Sequence, residues 1–161
     1  MSRNYNANFV HCIFSTKDRR DTSLLNFRKG SGPTWAGLQK NVDCNLLAVG
    51  GTANHVHILS DLRPVASLAV TIQKLKANSS RWLGEQGVTF EWRKGRGAFS
   101  VSPSMLATVK AYIRGQAEQH RRRDFEEEFL RLLQKSRIAF DRDQRFACVP
   151  SLKGLPVRFM P

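Results

Sequence analysis

The order of strand and helix patterns along this chain predicts an α+β fold, a ferredoxin-like sandwich in which an antiparallel β-sheet is covered by helices on one side. Two observations lead to it: strand and helix patterns interleave around a predicted hairpin, and 161 residues with 41% apolar content suit one domain with a proper core. We expect a single domain over residues 1–142 and a C-terminal tail over residues 143–161, where periodicity is weak.

Alternating apolar residues mark the predicted strands. The first strand is expected within residues 6–17, where apolar side chains occupy both alternating faces, as they do in a central strand. Residues 44–51 and 54–62 predict a second and a third strand, with Gly50 and Gly51 as the turn of a hairpin. A fourth strand is expected within residues 90–102.

Four segments carry helical spacing or helix boundary signals. They lie at residues 35–41, 65–85, 102–123 and 124–136. Pro64 is expected in the first turn of the second helix. Ser102 is expected to cap the third helix, with Pro103 at its first position.

The chain is strongly basic. Lys and Arg outnumber Asp and Glu by 26 to 13, and the formal net charge is +13. Such an excess favours a nucleic acid as the partner, because basic side chains release the counterions condensed on phosphates. We expect no membrane association, since no apolar run approaches the ~18 residues of a span and no signal peptide is evident. Three scattered cysteines are typical of reduced thiols, and the expected location is the cytoplasm.

The segment GGTANHVHILSDL places two histidines on one predicted strand. His55 and His57 are two residues apart, so they point to the same face, about 6.6 Å apart along the backbone. Both imidazoles could bind one divalent ion, although a histidine pair can also be inert. Two ligands do not complete a metal site.

A second pair lies on the predicted third helix. Tyr112 and Gln116 are four residues apart and therefore share a helical face. The carbonyl oxygen of Gln116 could complete a His-His-Gln site, whose nitrogen and oxygen donors suit Mg²⁺ or Mn²⁺ acting on a phosphate. Tyr112 could simply pack its ring under the helix, but beside such an ion its phenol becomes a usable nucleophile.

Four segments, taken in order, resemble the single-tyrosine HUH transposases of the IS200-like and REP-associated type. They are GGTANHVHIL, KLKANSSRWL, GRGAFSVSPS and VKAYIRGQAEQHRRRDFEEEFLRLL. The resemblance covers roughly residues 6–142. It implies a ferredoxin-like HUH transposase domain that cuts and rejoins single-stranded DNA at hairpin-containing ends, through a 5′-phosphotyrosine intermediate and without ATP. It implies that His55 and His57 bind the metal, that Tyr112 is the nucleophile and that Gln116 is the third ligand. Members are often dimers, so a homodimer is expected, with the active site built in cis or in trans.

Two residues depart from a simple version of this pattern. Asn54 stands where many relatives carry an acidic residue, but an amide can still orient an imidazole by hydrogen bonding. Gly115 separates Tyr112 from Gln116 and costs about 1 kcal/mol of helix stability relative to Ala, which could let the tyrosine helix move.

Nine basic residues are expected to bind DNA near this site: Lys74, Lys76, Arg81, Arg93, Lys94, Arg96, Arg121, Arg122 and Arg123. Trp82, Trp92 and Phe99 interleave with them, a pattern typical of a charged groove with stacking platforms for unpaired bases. The expected ligand is single-stranded DNA with a hairpin.

Two other functions remain open at the level of sequence. One is a catalytically inactive, basic ferredoxin-like protein that binds nucleic acid and whose histidines are inert. The other is a histidine-based phosphodiesterase, which would need a second histidine motif that His11 and His120 do not form.

Overall fold

The computed structural model describes residues 5–22, 39, 42–89, 91–121 and 124–140. The helix expected at residues 35–41 lies outside this part of the chain except for Gln39, and so do Arg122 and Arg123. The tail from residue 143 also lies outside it, so the division into a domain and a tail stays a prediction.

Four described strands form one antiparallel sheet in the order β2-β3-β1-β4. They are β1 (Phe9–Ser15), β2 (Cys44–Gly51), β3 (His55–Leu62) and β4 (Gly97–Val101). β1 pairs with both β3 and β4, so it is a central strand, which explains why its apolar residues occupy both faces. This sheet confirms the predicted α+β, ferredoxin-like class.

Helices cover both faces of the sheet, so the expectation that they cover one side is wrong. The helices are α1 (Leu68–Glu85), α2 (Leu106–Arg114), α3 (Gln116–Gln119) and α4 (Phe125–Lys135). α1 packs Ile72 and Leu75 against Val10, Cys12 and Phe14 of β1 and their neighbours.

The opposite face of the sheet carries the other two long helices. Ile113 of α2 packs with Leu59 of β3, while Leu133 of α4 packs with Ile13 and Phe99. No described helix is both long enough and apolar enough to cross a membrane.

Three predicted helix boundaries differ from the structure. Pro64 precedes α1, which begins four residues later at Leu68. Pro103 starts a short 3₁₀ turn before α2, and the side chain of Ser102 makes no capping hydrogen bond. The predicted tyrosine helix is divided at Gly115, which separates α2 from α3 and fits the low helix propensity of glycine.

The two glycines before the histidines lie inside β2 and not in the hairpin turn, which residues 52–54 form. Their lack of a side chain has a packing role. A Cβ atom on Gly50 would overlap the carbonyl oxygen of Ile113, so glycine allows α2 to lie directly against β2. Gly51 has a φ of +150° and a Cβ atom there would overlap the carbonyl oxygen of His55.

Replacing Gly50 tests this close packing. Gly50→Ala is expected to lower the free energy of unfolding by about 1–3 kcal/mol, since the added methyl group must displace the backbone of α2. Urea denaturation measures the change.

Gly84→Ala is the matched control, because the space around Gly84 in α1 is open. It should be neutral or stabilise by up to about 1 kcal/mol. Equal effects of the two substitutions would contradict the close approach of α2 to β2.

Candidate active site

All four histidines of the chain lie in one cluster on the face of the sheet covered by α2 and α4. His55 and His57 come from β3, as predicted. His11 comes from the neighbouring strand β1, and its Nε2 lies 3.0 Å from Nδ1 of His57. His120 directly follows α3, and its Nε2 lies 3.0 Å from Nε2 of His55. Sequence reasoning gave His11 and His120 no role, because they are 46 and 65 residues from the partners they contact.

Burial keeps these imidazoles neutral. The side chains of His55 and His57 are fully buried. Loss of hydration lowers the pKa of His55 to about 3 and that of His11 to about 4, and it holds the pKa of His57 well below its usual range. Neutral imidazoles carry the lone pair that metal binding requires.

Residues of the hairpin turn form hydrogen bonds with Nδ1 of His55. Its Nδ1 lies 2.9 Å from Oδ1 of Asn54 and 2.9 Å from the hydroxyl of Thr52. The amide of Asn54 in turn donates to the carboxylate of Asp21 at 3.1 Å. The amide at position 54 therefore contacts the imidazole, as the sequence suggested, and leaves Nε2 of His55 directed into the cluster.

Glu128 of α4 joins the tyrosine helix to the histidines. Its Oε1 accepts hydrogen bonds from the hydroxyl of Tyr112 and from Nε2 of Gln116, the latter at 2.9 Å. The same oxygen lies 3.7 Å from Nε2 of His57, and Oε2 lies 3.3 Å from Nε2 of His120. Burial raises the pKa of Glu128 to about 7. One carboxylate thus lies against the tyrosine, the glutamine and two of the histidines.

Sequence reasoning missed Glu128, because the helix predicted at residues 124–136 reaches the histidines only through tertiary packing. Phe125, Phe129 and Leu132 of this helix pack against the cluster around Leu133. The available signal was position: Glu128 is three residues after Phe125 and four before Leu132, so it shares the apolar face of the helix. An unpaired acid on such a face is a candidate for a buried site.

Tyr112 and Gln116 stay on one side of their segment although the helix is divided. The N–H of Gly115 still donates to the carbonyl oxygen of Ala111 at 3.0 Å. Both side chains therefore reach Glu128, and Gln116 is fully buried. These contacts lie within one chain, so the structure places the predicted nucleophile beside its own histidines.

The cluster fits a divalent metal ion. His55, His57 and Glu128 each offer a ligand atom, and these atoms lie within 4.8 Å of one another. Among the described residues, Nε2 of His57 and Oε1 of Gln116 are buried without a hydrogen-bond partner. An unpaired buried polar atom costs about 1–3 kcal/mol, and a cation would satisfy both. Gln116 as the third ligand stays a prediction, with Glu128 as a further oxygen donor.

The predicted basic residues are spread over both faces of the sheet. Lys74, Lys76 and Arg81 belong to α1, which lies across the sheet from the histidines, so their expected position near the site is wrong. Lys76 donates to the carbonyl oxygens of Arg93 at 2.7 Å and Gly95 at 3.1 Å, a structural role. Burial lowers its pKa to about 8.

Arg121 does lie beside the cluster. A cavity of about 490 Å³ opens next to His120, and its walls include Arg121, Arg19, Asn54 and Phe125. Lys94 and Arg96 are exposed in the segment before β4.

The predicted aromatic stacking platforms belong instead to the core. Phe99 is 6% exposed, and Trp92 packs edge-on against Phe14 with ring centroids 4.8 Å apart. The indole N–H of Trp92 donates to the hydroxyl of Ser79 at 3.0 Å, and Trp82 packs against the α1 side of the core. Phe99 is therefore not free to stack on bases, whereas Trp82 and Trp92 are partly buried against the α1 side of the core.

A buried histidine pair beside a tyrosine-bearing helix on a ferredoxin-like sheet defines the class of HUH transposases. The family model described as "Transposase IS200 like" matches residues 4–116, well over half of the chain, and the protein belongs to this family.

Solved structures agree on the fold. A crystal structure of a candidate transposase from Deinococcus radiodurans R1 has a TM-score of 0.51 and 21% identity, over 72% of this chain and 96% of that one. A REP-associated tyrosine transposase bound to a REP hairpin has a TM-score of 0.55 and 12% identity, over 74% of this chain and 73% of that one. None of the curated proteins matches the chain.

Metal addition tests the fit of the cluster. Mn²⁺ at 100 times its dissociation constant should raise the free energy of unfolding by about 2.7 kcal/mol, because the ion binds only the folded chain. His57→Ala should remove this stabilisation, since it deletes a ligand atom. Thermal denaturation of metal-free protein, with KCl of equal ionic strength as the control, measures both. Full stabilisation in His57→Ala would rule out this cluster as the metal site.

Proposed function

We propose that the protein is a divalent-metal-dependent transposase that cleaves and rejoins single-stranded DNA through a 5′-phosphotyrosine intermediate at hairpin-containing ends. One observation carries the proposal: the hydroxyl of Tyr112 binds the same carboxylate oxygen that lies 3.7 Å from Nε2 of His57. Membership of a transposase family supports the reaction class. A hairpin in the structure of a REP-associated neighbour supports the choice of substrate.

Cleavage exchanges one phosphate ester for another. The phenolic oxygen of Tyr112 forms a bond to the scissile phosphorus, and the bond from phosphorus to the 3′ oxygen breaks. The phenolic proton passes to Oε1 of Glu128, which already accepts a hydrogen bond from that hydroxyl. The 3′ oxygen takes up a proton from a water molecule and leaves as a hydroxyl group, and Glu128 releases the phenolic proton to solvent, so the protons balance. Attack by a 3′ hydroxyl on the phosphotyrosine reverses these steps, so the ester bond is retained and no ATP is needed.

A bound divalent ion would polarise the scissile phosphate and offset the charge that develops on it. His55 and His57 would hold the ion, with Gln116 and Glu128 as oxygen donors. The complete burial of His55, His57 and Gln116 keeps bulk water from these groups.

The cavity beside His120 is the route that we assign to the DNA strand. It borders the buried cluster, and its walls include the cations Arg19 and Arg121 together with the carboxylates of Asp124 and Glu127. The two arginines are the groups there that could contact a phosphate. A homodimer and a cytoplasmic location remain predictions.

A covalent adduct tests the proposed nucleophile. Incubation with a hairpin-bearing single-stranded oligonucleotide and Mn²⁺ or Mg²⁺ should give a protein–DNA adduct on a denaturing gel. Tyr112→Phe should abolish the adduct, because it removes only the attacking oxygen. Tyr5→Phe is the matched control, since Tyr5 is the other tyrosine in the sequence and is 85% exposed.

An adduct that survives Tyr112→Phe would contradict the assignment. DNA binding without any adduct, over a panel of hairpin substrates, would favour the inactive nucleic-acid-binding alternative.

Salt dependence tests whether the predicted basic residues contact DNA. If about six phosphates are contacted, affinity should fall by roughly 10³ between 50 and 200 mM salt, because released counterions must be taken up again. The double substitution Lys94→Ala with Arg96→Ala should lower the salt slope by roughly 1–2. Fluorescence anisotropy measures these slopes.

Arg63→Ala is the control for this measurement, as Arg63 is an exposed cation outside the predicted set. A salt slope that none of these substitutions changes would remove Lys94 and Arg96 from the DNA contact.

A further inference from the structure

The cluster contains an imidazole that the histidine pair on β3 does not account for. We propose that His120 is a direct metal ligand and that its imidazole makes the centre prefer a first-row transition ion, such as Mn²⁺ or Co²⁺, over Mg²⁺. This inference rests on the proposed metal-dependent function and specifies the ion and its ligands.

The distances from His120 to His55 and to Glu128 match those between ligands of one ion. Its Nε2 lies 3.0 Å from Nε2 of His55 and 3.3 Å from Oε2 of Glu128. Two ligand atoms at right angles around one ion, each about 2.1 Å from it, are about 3.0 Å apart. Without an ion one of the facing nitrogens must carry a proton, whereas a shared ion lets both present a lone pair.

The segment that carries His120 also carries the predicted glutamine ligand. Gln116 and His120 are four residues apart, and the N–H of His120 donates to the carbonyl oxygen of Gln116 at 3.0 Å. This single helical turn directs both side chains to the cluster. The division at Gly115 separates the turn from α2, so α3 is oriented by its own contacts with Glu128 and His55.

His120 also lies where the buried cluster meets the cavity. Its side chain is 19% exposed, whereas those of His55 and His57 are fully buried. It therefore lies between the buried cluster and the cavity.

A third imidazole ligand changes the class of metal ion that the site prefers. Mg²⁺ prefers oxygen ligands and keeps several waters, so it suits a centre with few nitrogen donors. Imidazole nitrogens favour first-row transition ions, which bind nitrogen more strongly. The set of His55, His57, His120 and Glu128 is thus richer in nitrogen than the His-His-Gln set that the sequence predicted.

Metal affinities of the metal-free full chain test the proposal. Mn²⁺ binding is followed by electron paramagnetic resonance, Co²⁺ binding by visible absorption, and Mg²⁺ binding by competition with Mn²⁺. His120→Asn should weaken Mn²⁺ and Co²⁺ binding by at least about tenfold and Mg²⁺ binding by less than about threefold. Arg121→Lys is the matched control: it changes the adjacent residue, which lines the same cavity, keeps its positive charge and should leave all three metal affinities unchanged.

A second measurement needs no variant and decides the matter if His120→Asn fails to fold. Pulsed paramagnetic resonance on the Mn²⁺-bound wild-type protein should detect three coordinated imidazole nitrogens. Two nitrogens, or equal Mn²⁺ affinity in His120→Asn and wild type, would overturn the proposal. If the DNA adduct depends on Tyr112 but only two coordinated imidazole nitrogens are detected, the ligand role of His120 is refuted and the proposed function stays intact.

Discussion

The buried carboxylate of Glu128 is the interaction on which the site depends. It accepts hydrogen bonds from Tyr112 and Gln116 and lies against His57 and His120, so it joins three helical segments to the central sheet. Burying an acid is costly, and the raised pKa of Glu128 reflects that cost. Two hydrogen-bond donors partly offset it, and a bound cation would offset the rest.

The two-residue periodicity of the central strands separates structure from chemistry. On β1, Val10, Cys12 and Phe14 face α1 and form the larger part of the core, whereas His11 points to the opposite face. On β3, Val56 and Ile58 join that core, whereas His55 and His57 enter the site. Gly50 completes the arrangement, because only glycine lets α2 lie close enough to the sheet to bring Tyr112 to the histidines.

Local spacing explains how much of the fold and site the sequence could predict. The histidine pair lies within one strand, so a period of 2.0 residues fixes its orientation. The tyrosine–glutamine pair spans the division at Gly115, but its four-residue spacing still places both side chains on one side. His120 continues the four-residue spacing of Tyr112 and Gln116. His11 and Glu128 meet the histidine pair only through strand pairing and helix packing, which spacing does not encode. The roles of the charged residues are predictable only in part. The basic composition predicts a nucleic-acid partner, but only the folded structure shows that Lys76 binds the backbone of a loop. Trp92 and Phe99 fill the core for the same reason.

The central claim is that one ion position connects the histidine strand to the acid that binds the tyrosine. Anomalous X-ray scattering from crystals soaked in Mn²⁺ tests it most directly. The predicted result is one strong peak at about 2.0–2.3 Å from Nε2 of His55, Nε2 of His57 and a carboxylate oxygen of Glu128. A peak bonded to other residues, or an ion bound by the histidines with Glu128 turned away from it, would contradict the account.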